Sequence, residues 1–244
     1  MRGLLIAFTF LTRLPLPAPK DVSDQEFKRS QHHYPLVGLV LGSLLWIVGR
    51  WGRYYYPASV VGALLLVVEI ALTGGIHLDG FMDSMDGLLS ARTPERMLEI
   101  MKDSRVGAHA VISLAALLLL KYSLLAALKP ADLGILLILP MISRWAFLIG
   151  ILGFPYARKE GLGQGFHEAS HWLVFSLEGL AILLFSGWFL GPAGLAATLA
   201  AAAFALLFSW RIAKLLGGLT GDIYGATIEL AELFSLLAAF PFLH

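Results

Sequence analysis

Residues 106–153 read VGAHAVISLAALLLLKYSLLAALKPADLGILLILPMISRWAFLIGILG. Two apolar runs, Val106–Ala127 and Ala131–Gly153, follow each other almost directly, with Lys121 and Arg144 inside them. A bilayer core needs about 20 apolar residues per helix, and each run is long enough. Outward from this pair, five more runs qualify: Pro35–Val48 (short, with room to run on to Gly52), Ala58–Gly75, Trp172–Leu190, Ala193–Ile212 and Ala226–Leu243. Gly191-Pro192 makes the loop between the fifth and sixth tight. The expected fold is an all-α, polytopic membrane bundle of about seven transmembrane helices. Six is the alternative count.

Composition agrees. Hydrophobic residues make up 58% of the 244, charged ones only 14%, and mean hydropathy is +0.77. Soluble domains average about 25% charged residues. A separate soluble domain has no stretch to occupy, so residues 1–244 form one integral-membrane unit. Within it lie an N-terminal interfacial segment, 1–34, and an acidic loop, 76–105. The net charge of +1 gives no reason to expect a nucleic-acid partner. There is no cysteine, which excludes disulfides and thiolate metal sites. Any metal must be held by oxygen or imidazole, which favours a hard ion such as magnesium.

Met1–Thr12 is a short apolar run after Arg2. No small-x-small cleavage site precedes Pro15 and Pro17, so a retained, half-inserted helix is expected rather than a cleaved signal peptide. Charge asymmetry predicts the orientation. Arg2, Arg13, Lys20, Lys28, Arg29, Arg92, Arg96, Lys102, Arg105, Arg158, Lys159, Arg211 and Lys214 fall on one side of the seven spans; Arg50, Arg53 and Lys129 fall on the other. The positive-inside rule then places the N-terminus in the cytoplasm and the C-terminus outside. Tyr54, Tyr55 and Tyr56 suit the outer interface. His32, His33, His77, His109, His167 and His171 lie at or near the cytoplasmic face, so the polar chemistry is concentrated at one surface.

The most informative segment is residues 73–91, TGGIHLDGFMDSMDGLLSA. Asp79, Asp83 and Asp86 fall at i, i+4 and i+7, within about 60° of a helix surface. Like charges at this spacing destabilise a helix unless a divalent cation neutralises them. Gly80 and Gly87 each follow one of these aspartates and let backbone, a nucleotide or a neighbouring helix approach. A solvated acidic face is the bland alternative, and its emergence straight from an apolar span argues against it. Thr93 and Pro94 then open a short interfacial helix with Met97, Ile100 and Met101 on one stripe. Lys102 and Arg105 follow, suited either to phosphate contacts or to anchoring the next span.

Carboxylates also occur inside spans. Glu229 and Glu232 lie at i, i+3, with Asp222 seven residues before Glu229, and Glu69 sits eight residues before His77. A charged residue in a span is a functional candidate by default, with pairing to Arg144 or Lys121 as the structural alternative. Glu178 reads as a partner for a neighbouring helix. The loop YARKEGLGQGFHEASH, with Arg158, Lys159, Gly161, Gly163 and Gly165, is either a lid over an anionic substrate or a plain connection. Gly38 and Gly42 form a small-xxx-small pair, and Ala200–Ala203 is a run of small residues; both suit close helix packing.

Together several segments resemble the cobalamin synthase family, the adenosylcobinamide-GDP ribazoletransferases. They are FLTRLPLP (10–17), YPLVGLVLG (34–42), TGGIHLDGFMDSMDGLLSAR (73–92), EIMKDSRVGAHAVISL (99–114), PYARKEGLG (155–163) and GGLTGDIYGATIELAE (217–232). His109-Ala110 stands where the family more usually has Phe-Gly, and Ile223 where Thr is common, so His109 receives no catalytic role. The resemblance implies an integral inner-membrane enzyme, its active site facing the cytoplasm, that requires Mg2+. It would convert adenosylcobinamide-GDP and α-ribazole (or its 5′-phosphate) to adenosylcobalamin (or its 5′-phosphate) and GMP.

The residues suit that chemistry. Transfer from a diphosphate to a ribose hydroxyl calls for a metal, cationic partners for the leaving nucleotide and a base. Asp79, Asp83 and Asp86 are the expected metal ligands. Lys102 and Arg105 would hold the diphosphate, with Asp103 as a further ligand or orienter and Arg158 as a substrate contact. Asp222, Glu229 and Glu232 would close the site, Asp86 and the two glutamates being the catalytic candidates. His77 is an alternative substrate contact or base, although an ideal helix turns it away from the aspartates. A homo-oligomer is left open. The DxxDG core also resembles half of the CDP-alcohol phosphotransferase signature, which gives a rival membrane enzyme. An ion-coupled transporter is the third reading; the one-sided polar cluster and the lack of inverted repeats argue against it.

Overall fold

A computed structural model describes residues 1–158 and 172–243. The described residues are helical: α1 (Arg2–Leu11), α2 (Asp24–Arg29), α3 (Tyr34–Tyr55), α4 (Ala58–Thr73), α5 (Ile76–Leu89), α6 (Pro94–Ile100), α7 (Ala108–Ala127), α8 (Ile135–Ala146), α9 (Leu148–Gly153), α10 (Trp172–Leu190), α11 (Pro192–Leu216) and α12 (Gly221–Ala239), with short 3-10 turns between some of them. Six spans are long and apolar enough to cross a membrane, and seven when α4 and α5 count as one bent span. This matches the expected bundle. The first span runs further than Gly52, to Tyr55, and the last begins earlier, at Gly221.

α8 is the axis of the bundle. Every residue in it but Leu137 is buried, which is why the run Ala131–Gly153 carries no polar face, only Asp132, Ser143 and Arg144. The single helix expected there is instead a 3-10 turn (Pro130–Gly134), α8 and α9. The whole stretch Pro130–Gly153 still counts as one span; beyond the interruption at Phe147, Gly150 meets Leu219 and Ser209, each 3.0 Å from where a Cβ would stand. By contrast α10 buries only the stripe Phe175, Gly179, Ile182 and Ser186. Its exposed face carries Leu173, Leu177, Leu180, Leu184 and Trp188, and a helix apolar all round with one buried stripe is a lipid-facing span.

Small residues set the closest approaches. α3 lies directly on α8: a Cβ on Gly38 would collide with the Pro140 carbonyl, and one on Gly42 with the Leu137 carbonyl. Backbone cannot move aside as a side chain can, so Gly38→Leu is expected to cost 3 kcal/mol or more, about the upper end for overpacking. A loss of detergent-stable, monodisperse protein checks this; a melting temperature equal to wild type contradicts it. On α11 the buried stripe is Ala193, Ala197, Ala201 and Ala205, and the Ser235 hydroxyl of α12 donates to the Ala197 carbonyl at 3.0 Å.

Gly74 and Gly75 turn the chain by 94° between α4 and α5. Both have left-handed φ, +66° and +70°, a conformation glycine adopts without steric penalty. The Arg13 amide donates to the Leu72 carbonyl at 2.6 Å, and its side chain lies across Gly74. α5 therefore leaves the α4 span instead of prolonging it. α1 is a packed part of the bundle, with Ile6, Ala7 and Leu11 buried.

Candidate active site

Five chain segments meet at one end of the bundle. α5 packs along the start of α12, where Gly80 stands 2.9 Å (from its would-be Cβ) from the Asp222 carbonyl and Gly225 likewise 3.1 Å from the His77 carbonyl. Gly87 lets Met97 and Met101 of the α6 segment onto α5. The close approach that these glycines permit is thus made by neighbouring helices. After α9, the Leu219 amide donates to the Pro155 carbonyl and the Ala157 amide to the Leu219 carbonyl, both at 2.8 Å. This ties the α11–α12 turn to Arg158, whose guanidinium donates to Asp222 Oδ2 at 2.7 Å.

Two cavities share this end. The first is an open cleft of about 320 Å³ lined by Asp79, Asp83, Asp86, Lys102, Asp103 and Ser104. The second, of about 230 Å³, runs between α1, α5, α9 and α12 and is mostly aromatic and aliphatic, with His77, Asp79 and Asp222 in its wall. Asp79 lines both. The second cavity escaped sequence reading, because Phe10, Tyr34, Phe147 and Tyr224 lie far apart in the chain and each reads as ordinary core.

The three aspartates face the same region but do different things. Asp86 accepts hydrogen bonds from the Gly107 and Ala110 amides, at 2.6 and 2.8 Å, one on each oxygen. It caps the N-terminus of α7, where a carboxylate is favoured by the free amides and the helix dipole. Asp86, expected as a third metal ligand and catalytic group, thus lines the cleft with both oxygens engaged by the α7 amides. Among the described residues no group of three or more His, Cys, Asp or Glu is arranged to hold a metal. Asp83 has no such donors among the described residues. Burial first, then the carboxylates of Asp222, Asp79 and Asp86, push it up to about 6, against the opposing pull of Arg158.

At the cleft rim, Asp103 and Arg105 pair with each other through Nε–Oδ1 at 3.0 Å and Nη2–Oδ2 at 2.6 Å, leaving the Arg105 side chain 88% exposed. Hydrogen bonds from the Arg105 side chain and backbone hold the Asp103 carboxyl down, to about 2. Lys102 lines the cleft without an ion pair among the described residues. Lys159, the glycines 161, 163 and 165, and His167 and His171 lie outside the described residues, and with them the expected lid.

Glu229 and Glu232 do not close this site. Lys121 Nζ donates to Glu69 Oε1 at 2.9 Å, Glu229 Oε2 at 3.2 Å and Glu232 Oε2 at 2.8 Å. Arg144 pairs with Glu232, which also accepts from the Ser143 hydroxyl at 3.0 Å. All five charged side chains are buried. The two glutamates share a helix face with Asp222 but sit seven and ten residues along it, about 10 and 15 Å deeper at 1.5 Å per residue. His77 is buried too, its Nδ1 3.4 Å from Arg144 Nη2, and it looks into the aromatic cavity rather than the cleft. Glu178 faces His32 at 3.8 Å, the helix-partner role its sequence suggested.

Comparison with known proteins adds a separate line of support. A cobalamin-5-phosphate synthase family model matches residues 3–240. An adenosylcobinamide-GDP ribazoletransferase of Desulfitobacterium hafniense is 57% identical over 251 residues, which cover 100% of this chain and 98% of that protein. Proteins of the same name from Brevibacillus brevis and a Roseiflexus species are 40% and 41% identical, over 97% and 94% of this chain and 97% and 86% of theirs. No solved structure matches.

Proposed function

The chain belongs to the cobalamin-5-phosphate synthase family, and on that premise we propose that it is a membrane transferase joining adenosylcobinamide-GDP to α-ribazole. The adenosylcobinamide-phosphate group passes to a ribose hydroxyl of α-ribazole or its 5′-phosphate. The new bond is ribose oxygen to phosphorus, the broken one is phosphorus to the GMP oxygen, and the hydroxyl proton leaves to a carboxylate. What carries this reading is one juxtaposition: the acidic cleft with Lys102 opens beside an aromatic cavity, and Asp79 belongs to both.

The donor set fits magnesium. Asp79 and Asp83 are hard oxygen ligands, and the crowding of carboxylates around Asp83 is negative charge in want of a cation. Magnesium usually takes only one or two carboxylates, substrate phosphates filling the remainder, so a third protein ligand is not required. Asp79 and Asp83 would hold the ion, which neutralises charge on the diphosphate when bound. Lys102 binds phosphate oxygens on the leaving side. Arg158, held at the same end by Asp222, would be a further phosphate contact. Asp222, the other carboxylate of the cavity wall, is the acceptor for the hydroxyl proton. The weight of Lys and Arg at this end argues for a cytoplasmic site in the inner membrane.

Protein purified in detergent, supplied with adenosylcobinamide-GDP, α-ribazole and magnesium, should form GMP and adenosylcobalamin together, and EDTA should stop both. Folded protein that makes neither overturns the reading, and CDP-alcohols are then the next substrates. A pH test is independent of turnover. A carboxyl raised from an ordinary 3.8 to about 6 favours the folded state when protonated, and that contribution is lost as pH rises through 6. Magnesium restores it by binding the ionised form. The rise in melting temperature on adding magnesium should therefore be small at pH 5 and grow through pH 6 to 7. A shift independent of pH contradicts Asp83 as ligand.

A further inference from the structure

We propose that the aromatic cavity takes the planar base of the acceptor nucleoside and that His77 Nε2 is the hydrogen-bond donor that reads it. This rests on the transferase reading above and adds the subsite and its chemistry. The cavity, at about 230 Å³, exceeds the 150 Å³ apolar cavity known to hold benzene and falls far short of a corrin macrocycle. Its walls carry the rings of Phe10, Tyr34, Phe147 and Tyr224. Tyr34 and Phe147 are stacked at 5.8 Å with 15° between planes, and Phe147 and Tyr224 lie 6.0 Å apart. Flat aromatic walls suit a flat aromatic ligand.

The polar edge narrows the choice. Arginine has only donors, so the contact between Arg144 Nη2 and His77 Nδ1 makes Nδ1 the acceptor. The ring proton then sits on Nε2, and that atom is buried with no partner among the described residues. An unpaired buried donor is costly and seeks one acceptor. A benzimidazole nucleoside has one imine nitrogen free and an otherwise apolar base. Guanine, the other base in the reaction, has a broad polar edge, whereas this wall is mostly carbon, with Asp79 and Asp222 as its carboxylates. With the base seated here, its ribose falls at Asp79, where the cavity meets the diphosphate cleft.

Gly221 also lines this cavity, and a Cβ there meets nothing within 4 Å. Gly221→Phe therefore adds a ring at the cavity wall whose first carbon meets no protein atom within 4 Å. It should raise the KM for α-ribazole about tenfold or more and leave the KM for adenosylcobinamide-GDP within about twofold. An indole nucleoside, with C–H in place of the imine nitrogen, should be a poorer acceptor for wild type by about tenfold. His77→Leu should erase that discrimination. The inference is overturned if Gly221→Phe leaves the α-ribazole KM unchanged or moves only the corrinoid KM, or if wild type accepts the indole analogue equally well. The analogue comparison uses unaltered protein, so a misfolded variant does not remove the test. Absence of any turnover by folded wild type is a different result, which overturns the transferase reading itself.

Discussion

Asp83→Asn is expected to lower turnover by roughly a thousandfold, the scale seen when a single group stabilising charge in the transition state is removed. The unusual part of the expectation is its stability. Asp83 is pushed up to about 6 by burial and by three neighbouring carboxylates, so its ionised form works against the metal-free fold at neutral pH. The neutral amide relieves that repulsion, and the metal-free variant should melt at or above the wild-type temperature. It should also lose the magnesium-dependent rise. Asp86→Ala is the contrast. It leaves the Gly107 and Ala110 amides without their acceptor, so it should melt lower, by about 1 kcal/mol of lost capping, and keep a magnesium response. Thermal unfolding with and without magnesium, set beside turnover, separates the two aspartates. Near-normal turnover in Asp83→Asn, or loss of the magnesium response in Asp86→Ala with a normal melting point, reverses the assignment.

The two aspartates differ in a way that spacing hides. Asp79, Asp83 and Asp86 occupy one stripe of α5, and periodicity reads the stripe correctly. It does not show that the N-terminus of α7 returns to that stripe and takes both oxygens of Asp86. Gly107 and Ala110 are 21 and 24 residues further on, a distance local sequence cannot bridge. The spans were legible for the converse reason. An apolar run of about 20 residues has one physical solution in a bilayer, and α10 falls on the expected residues without adjustment. Where the helix is interrupted, at Phe147 between α8 and α9, the residues around it, Trp145–Ile149, are all apolar and give no sign. Glu229 and Glu232 fail by depth. They share the face of Asp222, so angular position places them at the site, whereas rise along the helix places them against Lys121 and Arg144. The aromatic cavity is the extreme case, assembled from five separate segments.

Lys121→Met tests that deeper cluster, and its expected effect is on stability. Lys121 is the one ammonium bonded to Glu69, Glu229 and Glu232 among the described residues, and its side chain is 7% exposed. Removing it leaves three buried carboxylates with Arg144 alone, and Arg144 reaches only Glu232. Breaking a buried pair from one side typically costs about 3–5 kcal/mol, because the charge left behind stays desolvated. For a chain of this size that corresponds to a drop of about 10 °C in melting temperature. Glu69→Gln added to Lys121→Met should recover part of the loss, since it removes a carboxylate that no longer has a partner; alone it should destabilise. The same cluster decides what Glu229 does. If it is structural, Glu229→Gln lowers the melting temperature and leaves both substrate KM values where they were. If Glu229 instead reaches the reacting groups, the variant melts normally and loses turnover. Lys121→Met melting within a degree or two of wild type would remove the basis for treating the cluster as the internal brace of α4, α7, α8 and α12.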